Sequence, residues 1–212
     1  MGCNAERAGV RYLPASTFKI LNSLIAFETG VVKDASEVMS YGGGAQPVKA
    51  WEKDMNLKDA MAVSNVPLYQ GLARRIGRAR MAEYVRKAAY GNAQIGDKVD
   101  DFWLKGPLAI SILEQIRFIN NLNLGELPFS ARSQGLLREI MPREAEGKAG
   151  TTIFYKTGLA SAATPPVGWV AGWLELDGKS YPFALNFDIT RDDAPPLRLE
   201  IMRKALAVLG LY

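Results

Sequence analysis

TTIFYKTGLASAATPPVGWVAGWLELDGKSYPFALNFDI, residues 151–189, contains three runs rich in β-branched and aromatic residues: 151–156, 167–176 and 180–189. Such side chains suit a pleated, half-buried surface. The dipeptide Asp177-Gly178 between the last two runs is a hairpin-turn signal. The stretch therefore predicts an antiparallel meander, followed by an amphipathic helix over 196–209.

Upstream of residue 151 the periodicity changes to that of helices. Residues 16–29 read as a helix stopped by Gly30, with Phe18, Ile20, Leu21, Leu24, Ile25, Ala26 and Phe27 nearly all round it. A helix apolar on every side is a buried one. Further helices fit 56–63, 67–89, 109–121 and 130–141, with a glycine-containing loop over 34–50 and an irregular first thirteen residues. The pattern predicts one α+β domain over 1–212, with a helical part at about 34–148. The sheet-forming part is about 151–212, together with the helix at 16–29. Three strands make a small sheet for so many helices.

Composition removes several chemistries. The 212 residues include no histidine and one cysteine, Cys3. A Ser-His-Asp triad, a histidine metal site and a zinc knuckle are all excluded, so a catalytic base must be Lys, Asp, Glu or Tyr. The net charge of +4 is spread among acidic residues and does not argue for nucleic acid. The basic stretch from Arg74 to Lys87 reads as a solvated helix face. No run approaches a membrane span, and MGCNAERAG has no apolar region of the signal-peptide kind.

Four short patterns carry chemistry. In PASTFKI (14–20), Ser16 and Lys19 share a helix face at i and i+3. A buried lysine loses its charge readily, and a neutral amine can act as a base toward serine or take up carbon dioxide as a carbamate. The same four residues also fit a capping serine with a lysine that snorkels to solvent. Lys156-Thr157-Gly158 ends a strand, where it can bind a carboxylate or simply turn; Gly158 would allow close approach of a ligand. Ser64 lies between two helices, either as a proton relay or as the N-cap of the helix at Pro67. Tyr90-Gly91-Asn92 reads as a helix C-cap and turn.

S-x-x-K and K-T-G pair in penicillin-recognising serine enzymes, and the order S-x-x-K, S-x-V, Y-G-N, K-T-G is much less expected by chance than any one of them. The sequence resembles the class D serine β-lactamases, the oxacillinase family, through PASTFKI (14–20), KAWEKDMNL (49–57), AVSNVPLYQ (62–70), YGN (90–92), DFWLKGPLAIS (101–111), YKTG (155–158) and GWVAGW (168–173). The resemblance implies a β-lactamase/penicillin-recognising transpeptidase-like fold, an antiparallel sheet with a helical subdomain, with the N-terminal strands of the family missing. It implies that Ser16 is the acylated nucleophile and that Lys19 is carbamylated by carbon dioxide and acts as general base, with Trp103 donating to the carbamate. Ser64 is implied as proton shuttle, and Val66 as the apolar residue over the carbamate. Lys156, Thr157, Gly158 and Arg198 are implied to orient the substrate and its carboxylate, and the N–H groups of Ser16 and Leu159 to form the oxyanion hole.

It further implies a small-molecule β-lactam substrate, no metal and no cofactor beyond carbon dioxide or bicarbonate, and periplasmic action. It allows a homodimer. The early position of Ser16 leads to an expectation of an unpaired sheet edge and an uncovered apolar face. The segment after K-T-G, with Leu159 and Pro165-Pro166, departs from the family's usual aromatic there. The alternatives are a penicillin-sensing acylation domain, an inactive fragment of the same family, and a penicillin-binding transpeptidase; the last generally shows S-x-N where this chain has Ser64-Asn65-Val66.

Overall fold

The computed structural model describes residues 4–145, 147–191 and 194–212. Its sheet has four strands in the order β1-β2-β3-β4: β1 (Arg143–Glu144), β2 (Thr152–Ala160), β3 (Val167–Leu176) and β4 (Lys179–Asp188), each antiparallel to its neighbour. The three predicted strands are present, but β2 runs on through Lys156-Thr157-Gly158 to Ala160, so the K-T-G residues stand within the strand instead of ending it in a turn; β1, two residues long, has no periodicity from which to read it. Asp177 and Gly178, both at positive φ, make the predicted hairpin turn.

β3 is buried along nearly its whole length, so both of its faces are covered. Trp169 and Trp173 point into the larger core, while Val170 and Leu174 meet Met202 and Leu206 of α9 (Ala194–Val208). The same alternation along β2 turns Phe154 toward the larger core and Ile153 toward the α9 side. Lys156 and Gly158 share the Phe154 face. The expected bare apolar face is thus largely filled by α9; Tyr181, Phe183 and Leu185 of β4 stay half-buried. The outer edge of β4 carries no strand among the described residues.

The larger core surrounds α2 (Lys19–Glu28), entered through a 3-10 turn, Ala15–Phe18. The predicted helix at 16–29 is therefore a 3-10 turn running into an α-helix, and its residues from Phe18 to Phe27 are buried. Around it lie α3 (Leu57–Ala62), α4 (Val66–Ile76), α5 (Arg78–Lys87), α6 (Phe102–Lys105), α7 (Ile112–Asn123) and α8 (Ala131–Ile140). The single helix expected over 67–89 is two, because Gly77 sits at φ +82 and breaks the ladder. The arginines of this stretch are exposed, as read from the charge run. The N-terminal stretch, expected to be irregular, includes the short helix α1 (Ala5–Gly9), capped by Asn4. Its Arg7 reaches Asn186 and Asp188 of β4 at 2.6 Å each.

Candidate active site

The 3-10 turn Ala15–Phe18 lies against β2, with α6 packed on its other side. It opens on Ala15 at φ +48, a strained angle for a residue with a Cβ. Ser16 follows, partly exposed. One turn on, Lys19 is fully buried and its Nζ lies 2.7 Å from Ser16 Oγ. The snorkelling alternative is therefore wrong. Burial pushes the Lys19 amine well below its ordinary 10.5, and the charge of Lys156 lowers it further. The ring of Tyr69 lies 5.2 Å from the same nitrogen.

Trp103 on α6 is fully buried, stacked on Phe18 at 5.3 Å. Its indole Nε1 is buried and, among the described residues, has no hydrogen-bond partner. An orphaned donor of this kind costs about 1–3 kcal/mol, and this one lies on the helix packed against the Ser16 turn.

β2 brings in the K-T-G residues. Lys156 is buried, donating to the Thr157 carbonyl at 2.9 Å, with Thr157 Oγ1 at 3.5 Å. Burial and the positive charge of Arg198 bring its amine down to about 7. Gly158 is closely enclosed, in a way the sequence did not suggest. A Cβ there would stand 3.1 Å from Pro14 O, 3.2 Å from Trp169 Cβ and 3.3 Å from Thr17 Cγ2. The close approach seen here is that of the Ser16 turn and of Trp169. Arg198, half-buried on α9, donates Nη1 to the Gly158 carbonyl at 2.6 Å, and burial lowers its pKa.

Leu159 is exposed at the rim. Tyr155 N–H turns away from β3 to donate to Pro142 O at 3.0 Å. By the two-residue alternation, the N–H of Leu159 lies on that same outer edge of β2.

Ser64 and Val66 stand at the entrance to α4. The N-cap is Asn65, whose side chain accepts from Leu68 N at 2.9 Å. The capping role considered for Ser64 therefore belongs to its neighbour. Ser64 sits at φ +54, partly exposed, and among the described residues its hydroxyl makes no hydrogen bond. α4 is held to α2 by Asn22 Nδ2 donating to Tyr69 O at 3.2 Å and by the Ser23–Tyr69 hydroxyl pair at 2.9 Å.

Several residues of the site have no short motif to announce them. Trp169 donates its indole N–H to Leu13 O at 3.0 Å, bracing the chain before Ser16. Trp51 donates to Val63 O at 3.0 Å, beside Ser64. Thr17, Tyr90 and Gln115 form a buried hydrogen-bonded group behind the turn. A lone tryptophan or glutamine carries no spacing signal, so only the family matches PASTFKI, KAWEKDMNL, YGN and GWVAGW pointed toward this ground, and none of them includes Gln115.

The chain matches the family described as the penicillin binding protein transpeptidase domain over residues 5–207. It is 41% identical to β-lactamase OXA-5 of Pseudomonas aeruginosa over 98% of this chain and 78% of that protein. It is 43% identical to β-lactamase OXA-48 of Klebsiella pneumoniae over 96% of this chain and 76% of that one. The crystal structure of the class D β-lactamase YbXI from Nostoc superposes with a TM-score of 0.95 at 42% identity, covering 99% of this chain and 88% of that one. The antiparallel sheet, its helical layer and these similarities agree, and the chain belongs to the class D β-lactamases, the oxacillinase family of serine hydrolases.

Proposed function

We propose that this chain hydrolyses penicillin-type β-lactams through an acyl-enzyme on Ser16, with Lys19 carrying the general base as a carbamate. The observation that carries the reading is the 2.7 Å contact between Ser16 Oγ and a fully buried Lys19 Nζ whose burial disfavours its charge. Only a neutral amine has the lone pair needed to combine with carbon dioxide or to accept a proton. The orphaned Trp103 N–H fits the anion that results, and Val66 at the head of α4 supplies apolar cover. Carbon dioxide held on Lys19 supplies an anionic base in a dry pocket.

The remaining roles belong to the chain. Ser16 Oγ bonds to the lactam carbonyl carbon as its proton is removed. The N–H groups of Ser16 and Leu159 receive the oxyanion, each such donor typically giving about 3 kcal/mol. The carbon–nitrogen bond breaks and the Ser64 hydroxyl passes a proton to the leaving nitrogen; its lack of any other bond suits that task. Lys156, Thr157 and Arg198 face the substrate carboxylate with positive charge and a hydroxyl. Water then cleaves the ester, releasing the ring-opened acid and restoring Ser16. The periplasm is the compartment that fits this activity, and among the described residues no helix is long and apolar enough to cross a membrane.

Steady nitrocefin turnover that rises with added bicarbonate is the expected result. Intact mass after penicillin treatment separates the readings. Consumed drug with no lasting adduct supports hydrolysis. A persistent adduct on Ser16 makes the chain a sensing domain instead, and a folded chain that neither turns over nor acylates overturns both.

A further inference from the structure

The turn that presents Ser16 is braced from outside as well as by its own hydrogen bonds. Ala15 is in the left-handed region, and the turn closes onto the chain before it at Pro14 O, which accepts from Thr17 N at 3.2 Å and from Thr17 Oγ1 at 2.7 Å. The Thr17 hydroxyl has one proton to give. Gln115, fully buried on α7, donates Nε2 to Thr17 Oγ1 at 2.8 Å and to Tyr90 OH at 3.1 Å. With Gln115 on its lone pair, the Thr17 proton is directed to Pro14 O. The Gln115 Oε1 is buried and, among the described residues, has no partner. An apolar residue at 115 would avoid that cost, so stability alone does not explain an amide there.

The rest of the α7 entrance is fastened to the same lead-in. Tyr12 and Ile110 exchange two backbone hydrogen bonds of 2.9 Å, and Arg11 pairs with Glu114. The Tyr90-Gly91-Asn92 turn anchors this arm in turn. Asn92 donates Nδ2 to Pro107 O at 2.9 Å and accepts from Ala109 N at 3.1 Å, while a Cβ on Gly91 would fall 2.2 Å from Ala109 O. The Y-G-N motif and Gln115 thus serve one purpose, which is to bring α7 to the back of the nucleophile.

We propose that Gln115 is a positioning residue for Ser16, acting through the Thr17 hydroxyl, and that it sets the rate of acylation without touching the substrate. The inference rests on Ser16 being the nucleophile. The test is the rate of adduct formation on the full chain with a penicillin, followed by rapid-quench intact mass, beside thermal unfolding. Gln115→Met is expected to slow acylation about tenfold, the scale of a small misalignment of a reacting group, while its melting point holds or rises. Thr17→Val is expected to slow it similarly, and Thr17→Ser to restore most of the rate. Because both act through one hydroxyl, the double variant Gln115→Met/Thr17→Val is expected to be no slower than the slower single variant. Parental acylation in folded Gln115→Met, or equal rates in Thr17→Val and Thr17→Ser, overturns the inference. If Gln115→Met does not fold, the Thr17 pair decides alone. A parent chain that takes no adduct at Ser16 overturns the proposed function and this inference with it, a result distinct from a reactive parent with indifferent variants.

Discussion

Lys19 and Lys156 are the residues on which the physical chemistry turns, since both amines are taken out of water. Lys156 titrates at about 7 in the folded chain, against 10.5 ordinarily. Between those values the unfolded chain binds the extra proton, so stability rises with pH across that window; below about 7 both states are protonated and the handicap is constant. Lys156→Met is therefore expected to melt above the parent at pH 7, and the gap to close as pH approaches 10. Parallel melting curves across that range would show that the amine is not desolvated as described. Trp103→Phe keeps the stacked ring and removes the N–H. It is expected to need several-fold more bicarbonate for full nitrocefin turnover, on the scale of one lost charge-assisted hydrogen bond; an unchanged bicarbonate titration removes Trp103 from the carbamate's support. Ser16 and Lys19 were readable in the sequence because a helix fixes what i and i+3 do. Trp103 was readable only through resemblance, since nothing in the letters DDFWLKG says which polar atom ends up unpaired.

Local elements show why neighbouring residues have divided their tasks. Asn65 caps α4 and is buried, while Ser64 sits at positive φ and its hydroxyl makes no hydrogen bond among the described residues. Asn65→Ala is expected to cost about 1 kcal/mol, the usual value of a lost cap, or a few degrees of melting point at this size. Ser64→Ala is expected to leave the melting point nearly unchanged and to remove most turnover. Reversal of these two results would return the cap to Ser64. Gly158→Ala puts a methyl against the braced Pro14 carbonyl, and acylation is expected to fall about tenfold because the strand and the nucleophile's turn must part; a parental rate shows that the turn has slack. The strands and long helices were legible from periodicity. The break at Gly77, the tiny β1 and the short α6 were not, since each is decided by a tertiary contact or a single backbone angle.

At the level of the whole molecule, the sheet ends on β4. Ile189 N donates to Pro166 O, on the side of β3, so odd-numbered β4 residues bond inward and Pro182 lies on the outer edge. A proline there interrupts the row of donors that would otherwise invite another strand. Pro182→Thr supplies the missing N–H, and light scattering is expected to show concentration-dependent association beyond that of the parent; equal scattering would mean that the edge is guarded by other means. The α+β class was legible from where strand periodicity replaces helix periodicity, whereas the way α9 and the helical layer share the two faces of β3 depends on side-chain direction that no window of sequence reports. The buried amines have a last consequence. A population of these genes passaged in warm culture without antibiotic would be rewarded for every substitution that neutralises positions 19 and 156, and resistance would be lost by descent while the scaffold grew hardier.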